Sequence, residues 1–214
     1  MNYKRIYEYR FSDIDQNAKN RVWHEISRFV HPLMGKPVRI LEPGGGRCEF
    51  IRSITSAKER WVVDKMLPDA GLLSDIRFIQ GDIFSVNLPS AYFDGIFVSN
   101  FLEHLGSHDE IVLLLSKLRE CLQDNGVIAI MGPNFKYAFK EYFDCSDHQI
   151  ALTHLSVEEL LYSTGYQIEK IIPRFIPFSF RGKFPPSAIL TRIYLHIPFM
   201  WKLFGKQFLI LGRK

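Results

Sequence analysis

Residues 38–48 read Val38-Arg39-Ile40-Leu41-Glu42-Pro43-Gly44-Gly45-Gly46-Arg47-Cys48. An apolar strand here ends in a carboxylate, Glu42, and a glycine turn then opens a helix predicted over roughly Cys48 to Ser56. Glycines let the backbone pass close to a ligand and adopt dihedral angles closed to other residues. The first turn of a helix also offers unpaired N–H groups. The stretch therefore predicts a cradle for a small polar cofactor.

The turn differs from the dinucleotide fingerprint G-x-G-x-x-G, whose third glycine packs the helix on the strand. Glu49 stands at that third position. The order is instead acidic-x-Gly-x-Gly-x-small, and its members are Glu42, Gly44, Gly46 and Cys48, with Gly45 inside the turn. This order resembles motif I of the class I S-adenosylmethionine-dependent methyltransferases, which usually have a third glycine where this chain has Cys48. Taken alone, the turn is equally compatible with an ordinary strand-to-helix connection.

The charge of the turn favours the same family. S-adenosylmethionine carries an ammonium and a sulfonium, so a carboxylate beside the glycines attracts it, whereas a pyrophosphate would be repelled. A second apolar strand, Arg60–Asp64, ends in an acid about 20 residues further on, where a carboxylate can take both ribose hydroxyls. Asp64 is therefore the ribose candidate, and the resemblance adds Lys65 beside it.

Two more strand ends follow in the order that this family has. Strand Ile76–Ile79 runs into Asp82 and Ile83, which the resemblance implies at the adenine amino group and beside the adenine ring. A fourth strand begins near Tyr92 and exits through Asn100 and Phe101, which the resemblance also places at the cofactor. Any one of these positions is equally explained as a turn residue. Four matches in register over about 60 residues are hard to obtain by chance.

The rest of the chain predicts an α/β fold. A helix over Glu110–Leu122 is followed by the turn Asp124-Asn125-Gly126 and a strand over Val127–Met131, and a capping box beginning at Ser156 predicts a helix to Ser163. Strands that alternate with helices indicate a parallel sheet with helices on both faces. Two late strands, Gln167–Ile172 and Gln207–Gly212, predict an antiparallel hairpin. We expect a Rossmann-like, seven-stranded, mostly parallel sheet with an antiparallel last strand.

The length of 214 residues fits a single methyltransferase domain over 1–214. Within it we expect an N-terminal helical cap at 1–36, a cofactor-binding core at 37–132, and acceptor-side loops with the last strands at 133–214. The cap contains a predicted helix over Asn17–Val30 and is either a lid over the cofactor or a helix packed on the sheet edge. Both alternatives stay open.

Composition excludes several classes of protein. The chain is 47% hydrophobic and 23% charged, as in ordinary globular proteins. Its three cysteines, at 48, 121 and 145, form neither a metal spacing nor a disulfide framework. The N-terminus lacks the apolar core of a signal peptide, and Arg192 and Pro198 interrupt the most apolar stretch, Ala188–Phe204. These features predict a cytoplasmic protein.

Basic charge is concentrated in the last part of the chain. Residues 165–214 contain nine Lys or Arg and one acid, so they carry +8, while the whole chain carries +4. Many aromatics and prolines lie in an insertion predicted over 173–205. The simpler interpretation, which we favour, is an insertion packed on the domain with solvated charges. The functional interpretation is a peripheral contact with the inner face of a membrane or a lipid-linked phosphate. We expect no nucleic-acid partner, because the net charge is modest and no recognised motif is present.

The acceptor side offers three histidines as catalytic residues: His148, His154 and His104. A sugar or phenolic hydroxyl needs a general base, and His148 ranks first because Asp147 and Asp144 are near enough in sequence to orient it. A structural role is the alternative for each histidine. A metal site from His148, His154 and the two aspartates follows no strong metal spacing, so the sequence predicts no metal.

A wider set of short segments resembles one subgroup of this family. They are Arg10-Phe11, Asn134-Phe135-Lys136-Tyr137, Asp147-His148, Pro173-Arg174-Phe175 and Gly205-Lys206-Gln207. The subgroup is that of bacterial class I methyltransferases associated with surface-polysaccharide and glycan biosynthesis. The resemblance implies transfer of a methyl group from S-adenosylmethionine, leaving S-adenosylhomocysteine, to an oxygen or nitrogen of a sugar or lipid-linked glycan precursor. The alternatives are a non-catalytic protein that binds the cofactor and a nicotinamide-dependent oxidoreductase.

Overall fold

The computed structural model describes residues 3–68, 70–178 and 186–214. Part of the predicted basic aromatic insertion, including Phe180, Arg181, Lys183, Phe184 and Pro185, lies outside the described residues. Within them the strands are β1 Arg39–Pro43, β2 Glu59–Asp64, β3 Arg77–Gln80, β4 Phe93–Ser99, β5 Leu122–Pro133, β6 Gln167–Ile172 and β7 Gln207–Arg213. The helices are α1 Tyr3–Arg10, α2 Gln16–Leu33, α3 Glu49–Arg52, α4 His108–Cys121, α5 Phe135–Ala138, α6 His154–Ser163, α7 Ala188–Leu195 and α8 Pro198–Phe204.

The strands form one seven-stranded sheet in the order β3-β2-β1-β4-β5-β7-β6. Strands β1 to β5 pair in parallel, and β7 runs antiparallel to both β5 and β6. The predicted fold class is confirmed. The order reverses between β1 and β4, and ligands of such sheets bind in the crevice at that point, outside the carboxyl ends of the strands. All the strand-end residues named above lie at that edge.

Alternation along the strands builds a core on each face of the sheet. Leu41 of β1 belongs to a buried cluster that includes Leu114 and Leu118 of α4 and Val157 of α6. Its neighbour Ile40 belongs to a second cluster, with buried residues of α2, α3 and α7. Successive side chains of a strand point to opposite faces, so adjacent residues serve different cores. The helices therefore cover both faces, as predicted.

Several element boundaries differ from the prediction, each because of a local hydrogen bond. Helix α6 begins earlier, because the N-cap is Thr153, whose hydroxyl oxygen accepts from the Ser156 N–H at 3.2 Å. Ser156 is thus the third helical residue rather than the cap. Helix α3 is only Glu49–Arg52, and the Ser53 hydroxyl donates to the Glu49 carbonyl at 2.9 Å where it ends.

Strand β5 also begins earlier than predicted, directly after α4. The expected turn around Asn125 lies inside the strand, where the pairing with β4 shifts register between Phe93 and Gly95. Asn125 has φ +64°, a left-handed conformation that asparagine tolerates better than most residues. The predicted turn chemistry is therefore present, but it makes an irregularity within the strand instead of separating it from the helix.

Candidate functional site

The glycine turn after β1 contains three residues with left-handed backbone. Gly44 has φ +65° and Gly46 φ +53°, while Cys48, the N-cap of α3, has φ +59°. A β-carbon on Gly44 would lie 2.3 Å from the ring atom Cδ2 of Phe101. At Gly46, no protein atom lies within 4 Å of that position. The positive φ of Cys48 gives a backbone reason for glycine being usual there in the family that the turn resembles.

Glu42 is buried beside this turn, with 4% of its surface exposed. Its Oε2 accepts a hydrogen bond from the Ile51 N–H of α3 at 3.2 Å, which fixes the side chain beneath that helix. Burial raises the pKa of Glu42 well above its usual range, and the nearby Glu49 carboxylate raises it further. A buried carboxyl with a raised pKa gains from a cation beside it, because the cation favours the charged form.

Asp64, at the end of β2, is joined directly to the glycine turn. Its Oδ2 accepts from the Gly46 N–H at 2.9 Å and its Oδ1 from the Met66 N–H at 2.8 Å. A carboxylate has about four acceptor positions, so both oxygens can still accept from hydroxyl groups of a ligand. Asp64 thus fixes the glycine turn and is also a half-buried acceptor at the strand end.

The end of β3 adds a second acid and an apolar residue. Asp82 forms an ion pair with Lys65, with 3.0 Å between Oδ2 and Nζ. The Phe84 N–H donates to Asp82 at 3.0 Å and lowers the pKa of that carboxyl, with Lys65 lowering it further. Ile83 is buried. The predicted adenine-side residues and Lys65 therefore lie together.

The end of β4 closes the cradle. Asn100 has φ +48°, its N–H donates to the Met131 carbonyl of β5 at 2.8 Å, and its side-chain amide donates to the Ser99 hydroxyl at 2.9 Å. Phe101, partly buried, has its ring against Gly44. The residues predicted to bind the cofactor thus occupy the carboxyl ends of adjacent strands and the loops that follow them.

Two of the three predicted catalytic histidines are in contact. The rings of His104 and His148 lie edge to face, with 5.1 Å between their centroids. The ring of His148 also contacts Tyr142, and burial together with the nearby His104 lowers the pKa of His148 to about 4. Its Nδ1 is buried and has no hydrogen-bond partner among the described residues. A neutral imidazole is the form that can accept a proton.

Asp147 does not orient His148, contrary to the sequence expectation. Its buried carboxylate pairs with the guanidinium of Arg10 in α1, with 3.1 Å between Oδ2 and Nη1. The backbone carbonyl of Asp147 lies 2.9 Å from Nδ1 of His104 and its Oδ2 lies 3.6 Å from the same nitrogen. Asp144 is exposed. The aspartate that was expected to serve His148 therefore positions His104 instead.

His154 lies in a separate hydrogen-bonded group. Its Nδ1 is 2.9 Å from the side-chain amide nitrogen of Asn134, and its ring stacks on Tyr137. Burial lowers the pKa of His154, and Lys136 lowers it further. No hydrogen bond or ring contact among the described residues joins His154 to His104 or His148. Its catalytic role stays a prediction.

Sequence reasoning missed two residues near this site, Tyr7 and Glu103. Burial raises the pKa of Tyr7, and the carboxylates of Asp147, Glu103 and Asp64 raise it further, which places α1 near both the cofactor cradle and the histidine pair. Glu103 is 2% exposed and lies between Leu102 and His104 in a turn of 3-10 helix. The only sequence signal for α1 was the Arg10-Phe11 pair.

Comparisons with known proteins agree with this geometry. Residues 35–130 match the family model described as a methyltransferase domain. No curated protein matches the chain. A SAM dependent methyltransferase from Archaeoglobus fulgidus is 21% identical, with TM-score 0.68 and full coverage of both chains.

Two further solved structures have the same fold. The 1,6-didemethyltoxoflavin-N1-methyltransferase of Burkholderia thailandensis, with bound S-adenosylhomocysteine, is 16% identical with TM-score 0.64, covering 99% of this chain and 88% of its own. The N-methyltransferase NodS of Bradyrhizobium japonicum WM9, also in complex with S-adenosylhomocysteine, is 13% identical with TM-score 0.63, covering 96% and 91%.

Proposed function

We propose that this chain is an S-adenosylmethionine-dependent methyltransferase that transfers the methyl group to an oxygen or nitrogen of a sugar or lipid-linked glycan precursor. The match of residues 35–130 to a methyltransferase domain and the shared fold support the reaction. The observation that carries the acceptor part of this proposal is the contact among three of the subgroup segments next to the carboxyl end of β5. The histidine pair and the exposed apolar helices α7 and α8 support it further.

The cradle fits the cofactor by charge and by shape. Three carboxyl groups, on Glu42, Asp64 and Asp82, stand at successive strand ends and would repel a pyrophosphate while attracting a ligand with an ammonium and a sulfonium. Gly46 leaves room for close approach. When bound, S-adenosylmethionine supplies an electrophilic methyl group. The residues proposed to hold it are Glu42, Gly44, Gly45, Gly46, Asp64, Lys65, Asp82, Ile83, Asn100 and Phe101.

Three of the five subgroup segments meet around Asn134, which is fully buried. The other two are joined to each other by the Arg10–Asp147 pair. The side-chain amide of Asn134 donates to the Pro173 carbonyl at 2.8 Å, and its N–H donates to the Lys206 carbonyl at 2.8 Å. Arg174 lies over the ring of Tyr137, with 4.8 Å from Cζ to the ring centroid. Segments far apart in sequence thus form one wall next to the carboxyl end of β5. A shared wall is what a shared acceptor class would require.

His148 is proposed as the residue that acts on the acceptor, with His104 beside it. The His104 N–H donates to the Phe101 carbonyl at 3.1 Å, and His148 contacts the His104 ring, so an acceptor held at the pair would be next to the cradle. The chain's tasks are to align the nucleophile, exclude water and accept its proton. His154, held by Asn134, is proposed to shape the acceptor wall.

The last helices support a membrane-associated acceptor. Apolar side chains are exposed on α7 and α8: Ile189, Leu190, Ile193, Ile197, Phe199, Leu203 and Phe204. Residues 186–214 contain no acid and several Lys or Arg. Arg192 pairs with Glu25 of α2 and Lys206 with Glu141, while Lys202 lies within α8 itself. An exposed apolar surface with a cation on the same helix fits an anionic bilayer. Among the described residues no helix is long and apolar enough to cross a membrane. We therefore propose a cytoplasmic enzyme peripheral to the inner membrane face.

One experiment tests the reaction and the role of His148 together. Calorimetry measures S-adenosylhomocysteine and NAD binding to the parent, to His148→Ala, and to His108→Ala, a control at an exposed histidine of α4. A labelled methyl donor is then offered with nucleotide sugars and lipid-linked sugars. We expect all three proteins to bind S-adenosylhomocysteine alike and NAD not at all, and His148→Ala to transfer methyl groups ~10²–10⁴-fold more slowly.

Three outcomes would contradict the proposal. A parent that binds NAD but not S-adenosylhomocysteine would be an oxidoreductase. Normal turnover by His148→Ala would leave His148 as a loop residue, with proximity alone carrying the transfer. Cofactor binding without turnover on any acceptor would favour the non-catalytic alternative.

A further inference from the structure

Glu103, His104 and His148 form a compact group of metal-ligating side chains. One ligand atom from each lies within 4.8 Å of the others. Glu103 and His104 come from the short 3-10 turn after β4, and His148 comes from the loop between α5 and α6. The hydrogen bonds from the Gln149 and Ile150 N–H groups to the Glu103 carbonyl, at 2.7 and 3.3 Å, hold this loop against the turn. The group is therefore built by two elements fixed to each other.

Two polar atoms of this group have no hydrogen-bond partner among the described residues. They are Oε1 of Glu103 and Nδ1 of His148, and both are buried. A buried acceptor without a hydrogen bond costs about 1–3 kcal/mol, more when it is charged. Glu103 is 98% removed from solvent, since its exposed fraction is 2%. A cation bound between these atoms would satisfy both at once.

His104 is oriented as a metal ligand usually is. The Asp147 carbonyl, an acceptor, lies 2.9 Å from Nδ1, so Nδ1 carries the proton and Nε2 keeps its lone pair. That free Nε2 lies 4.0 Å from Oε1 of Glu103. Histidine ligands commonly donate their second N–H to a carbonyl or carboxylate, which fixes the tautomer and the ring direction.

A second group, Cys145, Asp147 and His148, shares His148 and competes for the same ion. Its carboxylate is already neutralised by Arg10. A guanidinium beside a ligand oxygen repels a cation, whereas the side chain that faces Oε1 of Glu103 at 4.0 Å is His104, itself a proposed ligand. The first group is therefore the better site.

We propose that Glu103, His104 and His148 bind one divalent transition-metal ion of the zinc type. Two imidazoles and one carboxylate suit Zn²⁺ and its first-row neighbours rather than Mg²⁺ or Ca²⁺, which prefer oxygen ligands. Metal–ligand bonds of about 2.1 Å put tetrahedral ligand atoms ~3.4 Å apart, so the group closes by roughly 1 Å on binding. Three protein ligands leave a coordination position open.

The proposed metal site deepens the proposed function, and the effect of the ion on methyl transfer rests on that function. An ion beside the acceptor would lower the pKa of a hydroxyl bound at the open position. His148 would then hold the ion, and the proton of the hydroxyl would pass to solvent water instead of to His148. Binding of the ion does not depend on methyl transfer, so the two can be tested apart.

The test uses the full chain, dialysed first against a chelator and then against Zn²⁺. Metal content per chain and Zn²⁺ affinity by competition with a chromophoric chelator are measured for Glu103→Gln, His104→Ala and His148→Ala. His108→Ala is the matched control, and Cys145→Ser reports on the competing group. We expect about one ion per parent chain, affinities lowered about tenfold or more in the three variants, and parental affinity in both His108→Ala and Cys145→Ser.

Thermal melting with and without Zn²⁺ keeps the result interpretable if a variant is unstable. The parent should melt higher with the ion, because a ligand that binds only the folded state stabilises it. Absence of an ion and of any shift in the parent would overturn the proposal, even if His148→Ala loses turnover. Loss of the ion in Cys145→Ser with retention in Glu103→Gln would assign it to the other group. A chain that binds Zn²⁺ but no S-adenosylhomocysteine would refute the proposed function alone.

Discussion

Gly46 and Gly35 are a matched pair for testing the cofactor cradle. Both have positive φ, +53° and +81°, and a β-carbon on either would have no protein atom within 4 Å. Gly35 follows α2 and precedes β1, at the opposite end of the strands from the cradle. Gly46→Ala and Gly35→Ala should each cost about 1–2 kcal/mol of stability through the left-handed backbone.

Only the Gly46 variant should lose the cofactor. Calorimetry should show S-adenosylhomocysteine binding at least about tenfold weaker in Gly46→Ala and unchanged in Gly35→Ala. Equal affinities in the two variants would place the ligand elsewhere. Gly44 is not used for this test, because a β-carbon there would meet the Phe101 ring and the variant would disturb the protein itself.

The raised pKa of Glu42 predicts that the free energy of unfolding depends on pH. This pKa is raised above the ordinary 4.5 by burial, so the folded chain holds a proton that the unfolded chain releases. The free energy of unfolding of the parent should therefore fall as pH rises from about 4.5 through the raised pKa. Glu42→Gln lacks this loss, and its melting temperature relative to the parent should increase with pH. The exposed Glu120→Gln should follow the parent.

The same carboxyl should link cofactor binding to pH. An ammonium beside Glu42 favours the ionised form, so parental affinity for S-adenosylhomocysteine should rise with pH over that window, with release of a proton detectable in buffers of different ionisation enthalpy. Glu42→Gln should bind more weakly and release no such proton. Proton release of the same size in this variant would remove Glu42 from the cofactor's cationic end.

At the scale of residues, the sequence predicted what depends on position along a strand. Glu42, Asp64 and Asp82 were placed correctly at the strand ends because parallel strands align those ends at one edge. The sequence did not predict contacts between segments that are far apart in the chain. The Arg10–Asp147 pair spans 137 positions, and no local pattern indicates which partner a buried carboxylate takes.

At the scale of elements, α1 joins both halves of the site. Arg10 at its end pairs with Asp147 in the loop that carries His148, and Tyr7 lies near Asp64. Lys19 of α2 pairs with Glu49 of α3 at 2.8 Å. Helix α2 packs in the core on one face of the sheet, whereas α1 is joined to the acceptor loop. We therefore propose the lid for α1 alone.

Removing the Arg10–Asp147 ion pair should increase the local opening of both α1 and the loop that carries His148. In Arg10→Ala, buried Asp147 loses its guanidinium, at a cost of about 1–3 kcal/mol. Hydrogen exchange should accelerate in both 3–10 and 142–148, and S-adenosylhomocysteine should dissociate faster. Arg10→Lys, which keeps the charge without the forked geometry, should be intermediate. A lower melting temperature with unchanged local exchange in both segments would make the pair a stabilising contact only.

The elements themselves were predictable where periodicity is strong and less so at their ends. Helix α4 and strands β6 and β7 follow their patterns closely. Helix α3 is shorter than predicted, and α6 and β5 start earlier, because side-chain caps and a register shift set those boundaries. Such features depend on single hydrogen bonds, which alternation of apolar residues does not encode.

At the scale of the whole molecule, the exposed face of α7 and α8 predicts binding to anionic membranes. The parent should sediment with phosphatidylglycerol vesicles at low salt, less with phosphatidylcholine vesicles, and less as salt screens the lysines and arginines, each worth about 1 kcal/mol near the surface. Phe199→Glu should abolish sedimentation. Leu113→Glu is the matched control, because it places the same charge at an exposed apolar residue of α4. It should sediment like the parent. No sedimentation of the parent would favour the packed-insertion interpretation.

The outermost strands of the sheet have a consequence for aggregation. The order places β3 and β6 at its two ends. Strand β3 has only four residues and begins with exposed Arg77, while β6 carries exposed Glu169 and Lys170 at its register shift. Short, charged and irregular edges oppose the addition of strands from other chains. The apolar centre of the sheet is thereby kept from templating fibrous assembly at high concentration.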